Sequence, residues 1–134
     1  MAVIIDPNAT PTMSITKALL MFVRLAFVVQ LVLGIAFWAG SLLDYVGIHQ
    51  MLGSLFVVAL WGIAIMAMRA GRGKGLAIGA IVLGLVIAGF GSAQAKIMVG
   101  DMHWVVRVAH LVLAAAAMPI AERLARMSEP ASPR

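Results

Sequence analysis

The chain contains three histidines, His49, His103 and His110, and no cysteine. With thiolates absent, disulfides, thiolate metal sites and Cys nucleophiles are excluded. Imidazole is then the side chain best suited to ligating a transition metal or a haem iron. Two of the histidines flank Arg107 in the stretch 101–120, DMHWVVRVAHLVLAAAAMPI. On an α-helix, steps of four and three put His103, Arg107 and His110 on one stripe, which the same steps continue through Ala114, Ala117 and Ala121. One face therefore begins basic and imidazole-bearing and ends small. An arginine at the centre of a membrane span costs roughly 2.5–3.5 kcal/mol on insertion scales, so such a stripe is expected to face a bundle interior or a cavity.

The elements that must position these residues follow from composition. Of 134 residues, 63% are hydrophobic and 11% charged, too apolar a balance for a soluble domain. Apolar runs at about 15–39, 45–68, 76–95 and 102–124 each approach or exceed the roughly 20 residues that cross a bilayer. Their short connections predict an all-α integral membrane protein, a four-helix up-down transmembrane bundle over residues 15–126. Residues 1–14, broken by Pro7 and Pro11, read as an N-terminal tail, and residues 127–134 as a C-terminal tail. The first dozen residues lack a basic n-region and a cleavage motif, so no removable signal peptide is expected. Ser14 suits the N-cap of the first span. Gly75, Gly79, Ala80, Gly84, Ala88 and Ser92 suggest a close-packing face on the third, and Gln30 and Gln94 are placed to hydrogen-bond between helices.

The net charge of +5 is distributed as a membrane topology requires, not as a nucleic-acid-binding patch. Lys17, Arg24, Arg69, Arg72, Lys74, Arg123, Arg126 and Arg134 fall at one end of the spans, against Lys96 and Arg107 at the other. The positive-inside rule then puts the first end and both termini in the cytoplasm, with a bacterial inner membrane as the setting.

This topology places all three histidines in the outer half. At about 1.5 Å per residue, His49 lies roughly 7.5 Å along its helix from Asp44, between His103 and His110 at roughly 3 and 13.5 Å from Asp101. A histidine at the mouth of a span is often only an interfacial residue. Two at matched depth on different helices suit axial ligation of haem iron. Gly53, one turn below His49, and Ala114, one turn below His110, leave room for a flat macrocycle, while Arg107 and Lys96 can pair with propionates. His110 is the preferred partner of His49. His103, beside Trp104, reads as an interfacial residue at the cofactor's edge and is the alternative partner.

With His49 in IHQMLG and His110 in RVAHLVLA, the chain resembles four-helix transmembrane cytochromes b, most closely one half of a haem A synthase-type protein. Such halves place a histidine pair on their second and fourth helices. The resemblance implies one haem b, electron transfer and protein partners in a membrane complex besides membrane lipid. The catalytic half of that family carries a glutamate one turn before the second-helix histidine. Tyr45 and Val46 stand in that region here, so haem oxidation is not implied. A looser resemblance, to four-helix cytochromes b that exchange electrons with quinone, adds quinone as a partner; those carry histidine pairs at two depths. The other reading is a haem-free structural subunit of a membrane complex. A small multidrug-type transporter is disfavoured because no Asp or Glu lies deep in a span.

Overall fold

The structure, a computed structural model, describes residues 13–129. Its four α-helices are α1 (Ile15–Trp38), α2 (Val46–Arg69), α3 (Lys74–Ala93) and α4 (His103–Ser128). All four are long and apolar enough to cross a membrane, and the described residues contain no strand. The architecture is an all-α four-helix membrane bundle. Short 3₁₀ turns, Leu43–Tyr45 and Gln94–Lys96, precede α2 and follow α3. Residues 1–12 of the expected N-terminal tail 1–14 and residues 130–134 of the expected C-terminal tail lie outside the described residues.

Local chemistry sets the helix ends. Ser14 caps α1, its hydroxyl accepting from the Lys17 amide at 3.2 Å, which satisfies one of the orphan N–H groups of a first turn. Both α1 and α2 end on a left-handed glycine. At Gly40 (φ 77°) and Gly71 (φ 73°) the chain turns, and the next amides, of Ser41 and Arg72, reach back to the carbonyls of Ala36 and Ala67. This pairing satisfies carbonyls the helix leaves open, and glycine adopts the required φ without a Cβ clash. Helix α4 runs past the expected exit at 124. Pro119 lies within it and the helix continues to Ser128. Membrane helices tolerate an internal proline, and here the next turns are held by Glu122 and Glu129.

Those two carboxylates fasten one end of the bundle. Glu122 pairs with Arg24 of α1 at 2.7 Å and with Arg126 one turn on at 3.7 Å. Glu129 accepts from the Ser14 hydroxyl at 2.7 Å and meets the Lys17 ammonium at 3.7 Å, while its carbonyl accepts from the Arg72 guanidinium at 3.2 Å. The start of α1, the α2–α3 turn and the end of α4 therefore meet at one basic end. The histidines lie towards the other.

Helix α2 packs against all three others, whereas α1 and α3 sit diagonally and barely meet. Its buried residues, from Phe56 to Ala67, begin only in its third turn. The matching core positions are Val23 and Ala26 on α1, Ala77, Ala80 and Gly84 on α3, and Ala117, Ala121 and Leu124 on α4. The small side chains let the helices approach closely, the main source of cohesion where lipid is as apolar as the core. The packing face of α3 corrects the sequence expectation. Ala80 and Gly84 belong to it, with Trp61 packed on Gly84 and donating to the Ile81 carbonyl at 3.2 Å. Gly75 and Gly79 instead face outward with open space around them.

Candidate functional site

Towards the histidine end the bundle opens. Between the four helices lies a cavity of about 900 Å³, within the range of ligand pockets. Its wall carries His49, His103 and His110, with Gly53, Arg107 and Ala114. Lys96 is not brought to that wall: it is exposed in the turn after α3. The stripe on α4 behaves as its spacing requires, because His103, Arg107, His110 and Ala114 line the cavity and Ala117 and Ala121 below them are fully buried.

Each deeper imidazole is seated against the helix that precedes its own. The His49 ring meets Phe37 of α1 edge-on, with centroids 5.2 Å apart at 71°. Beside it is Gly34, where an added Cβ would lie 4.0 Å from the imidazole Cε1. The His110 ring stacks on Phe90 of α3, with centroids 6.2 Å apart at 17°. Gly91 presses closer, because a Cβ there would come within 2.9 Å of the His110 Cε1. The hairpin α1–α2 thus presents one imidazole and the hairpin α3–α4 the other.

Among the described residues, three buried side-chain N or O atoms lack a hydrogen-bond partner: Nδ1 of His49, Nδ1 of His110 and Oε1 of Gln30. All three residues line this cavity. Buried polar groups are nearly always paired, so a cluster of exceptions in one place asks for an explanation. Gln30 does bond between helices, its amide donating to the His49 carbonyl at 2.9 Å. It occupies the space left by Gly53, where a Cβ would fall 2.7 Å from the Gln30 Nε2. The glycine one turn below His49 therefore makes room for a glutamine amide.

Nearer the mouth, the His103 Nδ1 lies 3.2 Å from the Ile97 carbonyl, to which it can only donate. The Arg107 guanidinium lies over the Trp38 ring, 5.9 Å from its centroid, a cation–π arrangement. No carboxylate of the described residues pairs with Arg107. Nor do the described residues hold any cluster of three or more His, Cys, Asp or Glu able to bind a metal ion. A bare ion would lack the three or four protein ligands it ordinarily takes.

Gln30, Gly34, Phe37, Phe90 and Gly91 are the site residues that the histidine spacing does not reveal. Their helices are apolar all round, so periodicity gives no sign of which side faces inward. The one available signal is Gln30, an amide inside an apolar run. No family model, curated protein or solved structure matches the chain, which leaves the cavity and its side chains as the ground for function.

Proposed function

We propose that the cavity would hold one haem b whose iron His49 and His110 would ligate, and that the protein transfers electrons within a larger membrane assembly. The observation that carries this reading is the pair of imidazoles, one from each hairpin, on the wall of one cavity of about 900 Å³. Two imidazoles are too few for a bare metal ion but sufficient for a macrocycle that brings its own equatorial nitrogens. With Nδ1 of each ring buried, Nε2 is the nitrogen left for a ligand. When bound, a haem would supply one-electron redox chemistry.

The remaining roles belong to the chain. His49 and His110 hold the group between the hairpins, and Ala114 keeps the α4 wall low. Arg107 offers its free donors to a carboxylate at the mouth, and His103 lies beside it as a rim residue. Lys96, exposed in its turn, would meet a propionate only at the outer edge. The space at Gly53 goes to Gln30, so room for a macrocycle comes from the cavity as a whole. The resemblance to four-helix cytochromes b supports the same reading, with a protein at the outer face or a quinone in the adjacent bilayer as exchange partner. A haem-free structural subunit is the competing reading, and it gives no role to two imidazoles that face one cavity.

Absorption spectra of the purified protein, oxidised and reduced, test the proposal. Low-spin haem bands are expected, lost on His49→Ala or His110→Ala and retained on His103→Ala. Retention of the bands in the first two variants, or their absence from the wild type, overturns it. For orientation, the basic end with both termini is assigned to the cytoplasm by the positive-inside rule. Reporter fusions at residues 72 and 134 are expected to give cytoplasmic signals, and an outer signal at either reverses the assignment.

A further inference from the structure

We infer that Gln30 is the positioning residue of the site: its Oε1 accepts a hydrogen bond from Nδ1–H of His49, which fixes that imidazole with the Nε2 lone pair turned to the cavity. The electronic consequence rests on the haem reading; the tautomer does not. Gln30 already holds His49 by one contact, its Nε2 donating to the His49 carbonyl at 2.9 Å. That bond fixes which end of the amide is the donor, because a carbonyl cannot pair with Oε1. The amide is left with a buried acceptor and the neighbouring imidazole with a buried nitrogen, neither of them partnered. The two leftovers are complementary, an acceptor and an N–H, and lie on residues already joined by a hydrogen bond. A turn of the glutamine side chain or the ring lets the amide span from the carbonyl of His49 to its side chain.

The surroundings favour this pairing. Gly53 yields the space in which the amide lies, and even a Cβ added at Gly34 would stand 4.0 Å from the ring, so the ring can adjust. His110 has no equivalent. It is packed between Phe90 and the tight contact at Gly91, and no side chain partners its Nδ1. The two ligands would therefore differ in basicity, because a ligating imidazole becomes a stronger donor when its remote N–H is hydrogen-bonded. His49 is the ligand tuned by the protein, and His110 is the ligand set by packing.

The test uses the full chain in detergent micelles, with histidine ¹⁵N-labelled, and reads each tautomer from long-range proton–nitrogen correlations. His49 is expected as the Nδ1–H tautomer in the wild type and to move towards Nε2–H in Gln30→Met, with His110 unchanged between them. An Nε2–H His49 in the wild type, or no change in Gln30→Met, overturns the inference. The first criterion needs no variant to fold. In haem-loaded protein, Gln30→Met is expected to weaken haem binding by roughly 10–100-fold and to raise the reduction potential. Gln30→Glu, a stronger acceptor, is expected to lower the potential. Shifts of the same sign in both variants would mark a merely structural role and also overturn it. If the tautomers behave as expected while the wild type takes up no haem, the haem reading fails alone and the hold of Gln30 on His49 stands.

Discussion

The two ends of the bundle use polar residues in opposite ways. At the basic end every buried or half-buried carboxylate has partners: Glu122 holds Arg24 and Arg126, and Glu129 holds Ser14 and Lys17. Between these clasps and the middle of the bundle the helices meet through fully buried Ala64, Ala67, Ala77, Ala80, Ala117 and Ala121. At the histidine end the same helices stand apart, and three buried polar atoms go unpaired. Unpaired buried polar groups cost roughly 1–3 kcal/mol each. A bundle organised only for stability would not gather them around one cavity. One end is closed by packing and paired charges, and the other encloses the cavity.

Matched substitutions at the two ends sharpen that contrast. The largest expected effect is Leu60→Ala in the closed half, where the side chain is fully buried. Lipid replaces the transfer term, so the loss comes mainly from the cavity left behind, roughly 1–3 kcal/mol in unfolding titrations in detergent. Leu111→Ala, on the wall of the open cavity and 39% exposed, is expected to cost less than about 0.5 kcal/mol. Equal losses would erase the distinction between the halves.

Glycines give the next contrast. Gly73 has φ 63°, and a Cβ there would fall 2.6 Å from Met127 Sδ. Gly73→Ala is expected to cost about 1–2 kcal/mol, most of it backbone strain, because the methionine can move. Gly79→Ala meets nothing in its way and should be neutral or stabilising, by up to about 1 kcal/mol. Thermal melts of the two variants side by side decide it.

A smaller effect than at Leu60 or Gly73 is expected for Arg24→Gln, which leaves Glu122 with Arg126 alone. The pair is partly exposed, so about 1 kcal/mol or less is expected in a double-mutant cycle with Glu122→Gln. A coupling energy near zero would mean that packing, not charge, closes this end.

Much of this organisation is legible in the sequence. The four spans, the Ser14 cap and the stripe from His103 to Ala121 follow from hydropathy and helical spacing, because each depends on residues close in the chain. The gathering of basic residues at one end follows from span count. What the sequence hides is pairing across helices. Nothing local tells that Glu129 will meet Ser14, or that Gly91 will press on His110. An all-apolar helix also has no marked inner side, so Gly75 and Gly79 look like a packing face and are not one. The fourth span reads as ending near 124, yet α4 continues to Ser128 and Glu129 just beyond it meets Ser14 and Lys17.

The Ser14–Glu129 contact joins residues 115 apart in the chain. The clasp at the basic end therefore cannot form until residue 129 has been synthesised. Until then α1 lacks its α4 neighbour, although α2 and α3 can already pack against one another. Assembly accordingly closes like a drawstring, pulled by the final turn of α4. Truncation before residue 122 removes both carboxylates of the clasp, leaving a bundle whose first helix has no polar tie to its fourth at that end.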